Sequence, residues 1–362
     1  MARANTAAWL MSKQEKPLVI AEAPIPAPKP RGVLIRVHAI ALNPVDAAIQ
    51  NAGLLWEEYP LIIGSDLAGK IVEVGSEAEA AGFRVGDRVL AGVEKGAFQE
   101  YCSADIGLVA KIPEHVSYAQ GCVLPMGIST AAVTLFHAEN MALDLPQVEP
   151  KPNGQVVVVW GGSSSVGSCG IQMLCAAGYQ VIGVAGASNF QYCKELGASH
   201  VFDHKSDNVE QDLIAALEAS GKKFAGVFSA IMGLEVLRAC VRIADKLGHV
   251  NKSRIVGTVV PPDMPMLPLP NLPAGVRYAY CRGPTDFLPD SALRDIFGWD
   301  TKPMAGFEKA VFAKWLPLAL RSGQLKCKPE PFIVGRGLDS LQDACDLMAK
   351  GVSAQKLVVE LE

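Results

Sequence analysis

Along the first 120 residues, apolar and polar positions alternate in short runs broken by turn residues. Val33–Ile40 reads as a strand, and so does Ala68–Gly75, closed by Gly75. Gly86-Asp87-Arg88-Val89 is a turn entering another strand, and Phe98–Cys102 and Leu108–Ile112 supply two more. Pro24, Pro26, Pro28 and Pro30 keep the entry segment extended, because proline lacks an amide donor and biases its predecessor away from helix. This half predicts an all-β barrel or sandwich.

From about Pro125 the texture changes. Gln155–Trp160 is an unbroken apolar run, suited to a strand buried on both faces. After it come a small-residue helix over Val166–Ala177, a strand at Gln180–Ala185 and a helix over Asn189–Leu196 that Gly197 ends. His200–Phe202, Phe224–Ser229 and Arg254–Gly257 read as further strands, with helices at Asp207–Ala219 and Met232–Asp245. Strand and helix alternating at this spacing imply right-handed crossovers in a parallel sheet. The tail returns to the first texture: Leu316–Ser322 ends a helix, Phe332–Val334 is a strand, Ser340–Lys350 a helix and Lys356–Leu361 a last strand. That last strand needs a sheet, and the β-rich half is its host. An α/β domain at 123–315 is therefore expected as an insertion between 1–122 and 316–362. Val260–Gly275 carries Pro261, Pro262, Pro265, Pro268, Pro270 and Pro273, so it forms neither a central strand nor a helix.

Composition narrows the function classes. The chain has 362 residues, half apolar and 19% charged, with a formal net charge of −4. That balance argues against disorder and against a broadly basic nucleic-acid surface. Mean hydropathy is +0.22. The uncharged stretch between Lys151 and Lys194 is nonetheless cut by Gly161, Gly162, Gly167, Gly170 and Gly178, leaving no membrane-length apolar run. Met1–Lys16 lacks the basic-then-apolar pattern of a secretion signal. Nine scattered cysteines with no CxxC pair fit reduced thiols in the cytosol, not a disulfide framework or a zinc ribbon.

The strongest chemical signal is Trp160-Gly161-Gly162-Ser163-Ser164-Ser165-Val166-Gly167, directly after the apolar strand and opening a helix. Glycines let backbone N–H groups approach a diphosphate, and the helix N-terminus adds favourable partial charge. The second strand of the inserted domain ends at Gly186-Ala187-Ser188-Asn189. A site for NADH would place Asp or Glu there for the ribose hydroxyls. Its absence leaves room for a 2′-phosphate, with His204 and Lys205 following the third strand. NADPH is the expected cofactor.

Asn43-Pro44-Val45-Asp46 (NPxD), Gly64-Ser65-Asp66-Leu67-Ala68-Gly69 (GxDxAG) and Val85-Gly86-Asp87-Arg88-Val89 (VGDRV), followed by the glycine-rich turn, resemble the medium-chain dehydrogenase/reductase superfamily over almost the whole chain. Leu124-Pro125-Met126-Gly127-Ile128-Ser129-Thr130-Ala131, Asn189-Phe190, Leu196-Gly197-Ala198 and Val201-Phe202-Asp203 look like fungal trans-acting enoyl reductases of the lovastatin type, which serve polyketide synthases. The resemblance implies a Rossmann-type doubly wound parallel sheet inserted into a β-rich GroES-like domain. It implies that Pro44, Val45, Asp46 and Ala47 lie by the nicotinamide, with Thr258, Val259, Val352 and Ser353 around it. It further implies that Ser163, Ser164, Ser165 and Val166 hold the diphosphate, and that Gly186, Ala187, Ser188, Asn189 and His204 surround the 2′-phosphate. Pro125, Met126, Gly127, Ile128, Ser129, Thr130, Ala131 and Ala132, with Tyr278, Ala279, Tyr280, Cys281 and Arg282, would line the acyl channel. Relatives often carry Lys at the position of Ala48 and Ser at that of Gly186. Zinc-dependent relatives carry a GHE motif where Gly64-Ser65-Asp66 stands and a Cys ligand in the loop that here reads Asn43-Pro44-Val45-Asp46, so no metal is expected.

Tyr59 and Tyr280 are the candidate proton donors. The leading expectation is an NADPH-dependent enoyl reductase adding hydride to Cβ of a carrier-bound α,β-unsaturated thioester. The alternatives are a quinone or enone reductase acting on free small molecules, and a non-catalytic NADPH-binding partner protein. The prolines before Val276–Cys281 discourage edge-strand pairing, so a monomer is expected, with a cytoplasmic location.

Overall fold

The computed structural model describes residues 4–248, 254–259, 271–281, 307 and 309–361. Along the chain the strands and helices run β1 (Thr6–Leu10), β2 (Val19–Glu22), β3 (Gly32–Ala41), α1 (Pro44–Ala52), β4 (Leu61–Ile62), β5 (Asp66–Val74), α2 (Ser76–Ala80), β6 (Arg88–Gly92), β7 (Tyr101–Asp105), β8 (Val109–Lys111), α3 (Tyr118–Gly121) and α4 (Pro125–Phe136). Then follow β9 (Gln155–Trp160), α5 (Ser165–Ala176), β10 (Gln180–Ala185), α6 (Phe190–Glu195), β11 (His200–Asp203), α7 (Val209–Ala219), β12 (Lys223–Ser229), α8 (Leu234–Gly248), β13 (Ile255–Thr258) and β14 (Arg277–Tyr280). The chain finishes with α9 (Leu316–Ser322), β15 (Glu330–Arg336), α10 (Leu341–Lys350) and β16 (Gln355–Glu360).

Two compact units result. Of the described residues, the first takes those up to Met126, 307 and 309 to Arg321, and from Cys327 on; the second takes Gly127–Cys281 and Ser322–Lys326.

The first unit is built on a sheet of order β15-β16-β3-β5-β6-β8, with β7 also pairing β3, and a three-stranded sheet β2-β1-β4. The C-terminal strand joins as expected: β16 runs antiparallel to β3, with Val358 opposite Ala41 and Val359 opposite Ile40. The core is aliphatic, with Ile35, Ile40, Leu67, Ile71 and Val89 essentially inaccessible. Two local features differ from the sequence expectation. The strand placed at Phe98–Cys102 forms three residues later, at Tyr101–Asp105, because the chain at Ala97 and Phe98 is tied to Gly64 and Ile63 instead. Pro44–Ala52, which carries no strand pattern, is a helix: Pro44 suits its first turn, and Gly53 at φ +63° ends it.

The second unit is a six-stranded sheet of order β11-β10-β9-β12-β13-β14, all parallel. Elements expected here coincide with those observed to within a few residues, and Gln155–Trp160 and Gln180–Ala185 coincide completely. From β9 the order runs to β10 and β11 on one side and to β12, β13 and β14 on the other. A doubly wound sheet opens a crevice at such a reversal, beyond the carboxyl ends of its strands. Tyr118–Phe136 is long and apolar enough to cross a membrane, but 89% of its most apolar window is buried within the protein.

Candidate functional site: a dinucleotide cradle and a buried polar cluster

The second unit's site begins where β9 ends at Trp160. Register places Trp160 beside Val184 of β10 and Ser229 of β12, Ser229 beside Thr258, and Thr258 beside Tyr280. These residues form one row at the carboxyl edge of the sheet. The turn Gly161–Ser164 rises from the middle of that row, at the reversal of strand order.

A side chain is excluded at the glycines of this turn. Gly161 has φ +82°, and a Cβ there would stand 2.2 Å from Ile231 Cγ1. A Cβ at Gly167 would stand 2.2 Å from the Gly161 carbonyl oxygen, a clash with backbone that no rotamer relieves. At Gly162 it would press on Ile171 at 3.0 Å and Cys193 at 3.2 Å. The Gly161 and Gly162 amides donate to the Val184 carbonyl at 2.8 and 3.0 Å, which fixes the turn to β10. Ser164 caps α5, its hydroxyl accepting the Gly167 amide at 3.0 Å. Ser165 Oγ is shut off from solvent and has no protein partner. A strand, a turn whose glycines leave no space for a Cβ and the start of a 12-residue helix, in that order, fit the diphosphate of a dinucleotide.

The strand ends beside the turn are equally defined. The Asn189 amide group donates to Ser163 Oγ at 3.2 Å, linking the turn after β10 to the glycine turn. The His204 amide donates to the Ala185 carbonyl at 3.2 Å, and its ring lies near Gly186: a Cβ there would be 3.6 Å from Nε2. Gly186–Asn189 contains no carboxylate. Asp203, in register with Ala185 at the end of β11, accepts the Lys205 amide at 3.0 Å. Thr258 is fully buried at the end of β13.

Of the residues expected in an acyl channel, Ile128, Ala131, Ala132 and Ala279 are fully buried and Ser129, Thr130 and Cys281 nearly so. Gly127 packs against the first turn of α5, where a Cβ would lie 3.1 Å from Ser165 Oγ. Tyr280 is half-buried and its amide donates to Asn140 Oδ1 at 3.2 Å. Arg282 and Val260–Pro270 lie outside the described residues.

Pro44–Ala47, Pro125, Met126, Val352 and Ser353 belong to the first unit. Val352 and Ser353 are exposed after α10. Tyr59 donates its hydroxyl to the Trp56 carbonyl at 3.1 Å, and its ring packs on the core. Pro44–Ala47 form the first turn of α1, whose start is set by a cluster that sequence reading missed. The Asn43 amide donates to Asp46 Oδ2 at 2.8 Å. Asn43 Nδ2 donates to Asp66 Oδ2 at 3.0 Å, and Lys356 Nζ donates to Asp66 Oδ2 at 3.1 Å and to Asn43 Oδ1 at 2.5 Å. Asp66 Oδ1 accepts the Met126 amide at 2.9 Å. Burial pushes the Asp66 carboxyl up, against the opposing pull of the Lys356 ammonium. Burial pushes Asp46 up to about 7, with the Asn43 amide lowering it and the Asp66 charge raising it further. Asp46 Oδ1 has no partner. The motifs NPxD and GxDxAG supply four of its residues, and the signal for the fifth was a lysine entering a strand whose next three residues, Leu357, Val358 and Val359, are all fully buried.

Comparison with known proteins agrees with both halves. Residues 29–114 match the family described as alcohol dehydrogenase GroES-like domain, and residues 165–272 match that described as zinc-binding dehydrogenase. A Monascus ruber protein named dehydrogenase pigH is 36% identical over 99% of both chains. The chain belongs to the medium-chain dehydrogenase/reductase superfamily. An Aspergillus japonicus protein named trans-enoyl reductase himH is 33% identical over 99% of this chain and 97% of its own. A solved alcohol dehydrogenase superfamily protein from Novosphingobium aromaticivorans shares the fold, with a TM-score of 0.76 at 24% identity over 99% of this chain and all of that one. As a member of this superfamily the protein is an oxidoreductase, with a GroES-like unit and a Rossmann-type unit.

One of those family descriptions names zinc, and the residues present do not fit it. Among the described residues no three His, Cys, Asp or Glu side chains gather as a metal set. Where zinc-dependent relatives carry the His of GHE, this chain has Ser65, a weak donor for zinc.

Proposed function

We propose that the protein is an NADPH-dependent enoyl reductase that acts in trans beside a polyketide synthase. The observation that carries the cofactor half is the glycine turn that opens α5, where Gly161 and Gly167 leave no space for a Cβ. A reduced nicotinamide bound there would supply hydride. The phosphorylated form is favoured because Gly186–Asn189 offers no carboxylate to a ribose and His204 stands beside Gly186. The substrate half draws on the relative named trans-enoyl reductase, together with the lack of a metal donor set among the described residues. Without a Lewis acid, alcohol oxidation loses its usual stabilisation of alkoxide. Reduction of a conjugated C=C needs less, since charge spreads to the thioester carbonyl.

In the reaction, hydride adds to Cβ and a proton to Cα, consuming one enoyl thioester, one NADPH and one proton. The chain's part is to hold the reacting carbons together out of water. Tyr280, in the row with Trp160 and Thr258, is our candidate donor of the proton. Tyr59, whose hydroxyl is committed to a backbone carbonyl, is the poorer one. Nine cysteines with no disulfide among them suit a reducing compartment, and we infer a cytoplasmic enzyme acting as a monomer of 38.4 kDa. Steady-state NADPH oxidation with carrier-linked and free enones tests the reading. Turnover preferring the carrier-linked thioester is expected. Turnover of free quinones alone would replace the substrate, and NADPH binding without turnover of any enone would leave a non-catalytic partner protein.

A further inference from the structure

The least ordinary part of either core is the side-chain cluster at the start of α1. Asn43, Asp46, Ser65, Asp66 and Lys356 come from the α1 entry, β5 and its approach, and β16, and none is more than 3% exposed. A lysine ammonium is seldom buried without compensating partners. Here Lys356 has them in a closed ring: it donates to Asp66 and to Asn43, and Asn43 donates to Asp66. Asp66 uses its other oxygen for the Met126 amide in the first turn of α4, and Asn43 uses its own amide for Asp46 in the first turn of α1. One ion pair thus ties β16 to the beginnings of two helices. Its residues are also those whose neighbours in sequence, Ser65 and the loop from Asn43 to Asp46, stand where zinc-dependent relatives carry their ligands. The donors needed for a metal are missing, and a positive charge is present anyway.

We propose that the Lys356 ammonium is the resident cation of this cluster, that it serves in place of a divalent metal, and that through Asp66 and Asn43 it positions the first turns of α1 and α4. Lys356 is a positioning residue, since it is buried and its ammonium acts through hydrogen bonds to Asp66 and Asn43. The positioning part rests on the reading that puts Pro44–Ala47 at the nicotinamide end of the cofactor. The metal part does not.

The test uses the full chain purified from zinc-supplemented medium. Metal analysis should find less than about 0.1 zinc per chain, and a chelator should change neither melting temperature nor turnover. Stoichiometric zinc whose removal lowers either one overturns the proposal. Lys356→Met leaves two buried carboxyl groups without their cation and should melt about 10 °C lower. The double variant Asp66→Asn/Lys356→Met removes both charges and should recover most of that loss, whether or not the single variant is recovered in folded form. Because the ring is still broken, the double variant should keep its NADPH dissociation constant within about twofold yet lose about tenfold in kcat. Lys356→Met melting and turning over like wild type overturns the whole proposal. Wild-type kcat in the double variant overturns positioning. If wild type itself turns over no enone, the functional reading fails while the metal and melting measurements still decide the cation.

Discussion

The two halves of this protein handle polar chemistry in opposite ways. In the second unit the cradle is made of backbone, and its design lies in missing atoms: at Gly161 and Gly167 a single carbon would fall 2.2 Å from a neighbour. In the first unit the cluster is made of side chains drawn from positions 43, 46, 66 and 356, each enclosed by the core. The glycine turn at the start of α5 leaves space for an anion from outside and takes its partner only when the ligand comes. A ring of buried charges is satisfied from within, so it acts on stability and geometry whether or not a ligand is bound. Function at the glycine turn should therefore fail without the fold failing, whereas removing one charge from the ring should cost stability as well as turnover.

The sharpest way to break that contrast is Gly167→Ala. Its Cβ meets the Gly161 carbonyl, so NADPH affinity should fall at least about 100-fold while circular dichroism stays native. Retained affinity would mean that the turn does not carry the diphosphate. Gly186→Asp comes next. A carboxylate at the end of β10 repels a 2′-phosphate and suits a free ribose, so the ratio of kcat/KM for NADPH over NADH should fall by about 10–100-fold. An unchanged ratio would remove the assignment of the adenosine end.

Asp46 gives the corresponding prediction for the first unit. Its folded-state pKa of about 7 lies above the ordinary 3.8. The unfolded chain therefore releases this proton first as pH rises. The group's contribution to stability is greatest below about pH 4, falls between about 4 and 7, and levels off above. Asp46→Asn removes that titration and should flatten the decline in unfolding free energy between pH 5 and 8 by about 2–3 kcal/mol, measured in urea. Parallel curves for the two proteins would show that Asp46 ionises normally. Tyr280→Phe should lower kcat about tenfold with little change in KM if its hydroxyl delivers the proton. Tyr59→Phe, losing one hydrogen bond to a backbone carbonyl, should cost about 1 kcal/mol of stability and less than twofold in kcat.

The same contrast explains what the sequence discloses. The second unit is legible almost element by element, since its strands are continuous apolar runs and its crossovers are local. Its cradle is legible too, because Trp160 to Gly167 are neighbours in the chain and glycine marks each point of close approach. The GroES-like unit is less so. Its strands alternate weakly, α1 hides behind a proline that equally suits a turn, and β7 is displaced because Phe98 is claimed by Ile63 and Ala8. Least legible is the ion pair, for Asp66 and Lys356 lie 290 residues apart. Nothing local in either segment announces a partner. Only the oddity of a lysine entering a strand as apolar as Leu357-Val358-Val359 hints that something buried must answer its charge.

Titration calorimetry of the purified chain with NADPH tests the central claim most directly. Binding of one molecule per chain with a dissociation constant of about 10 µM or tighter, weakened at least tenfold for NADH, is the predicted result. A flat thermogram with both reduced nucleotides, from protein that melts cooperatively, would contradict it.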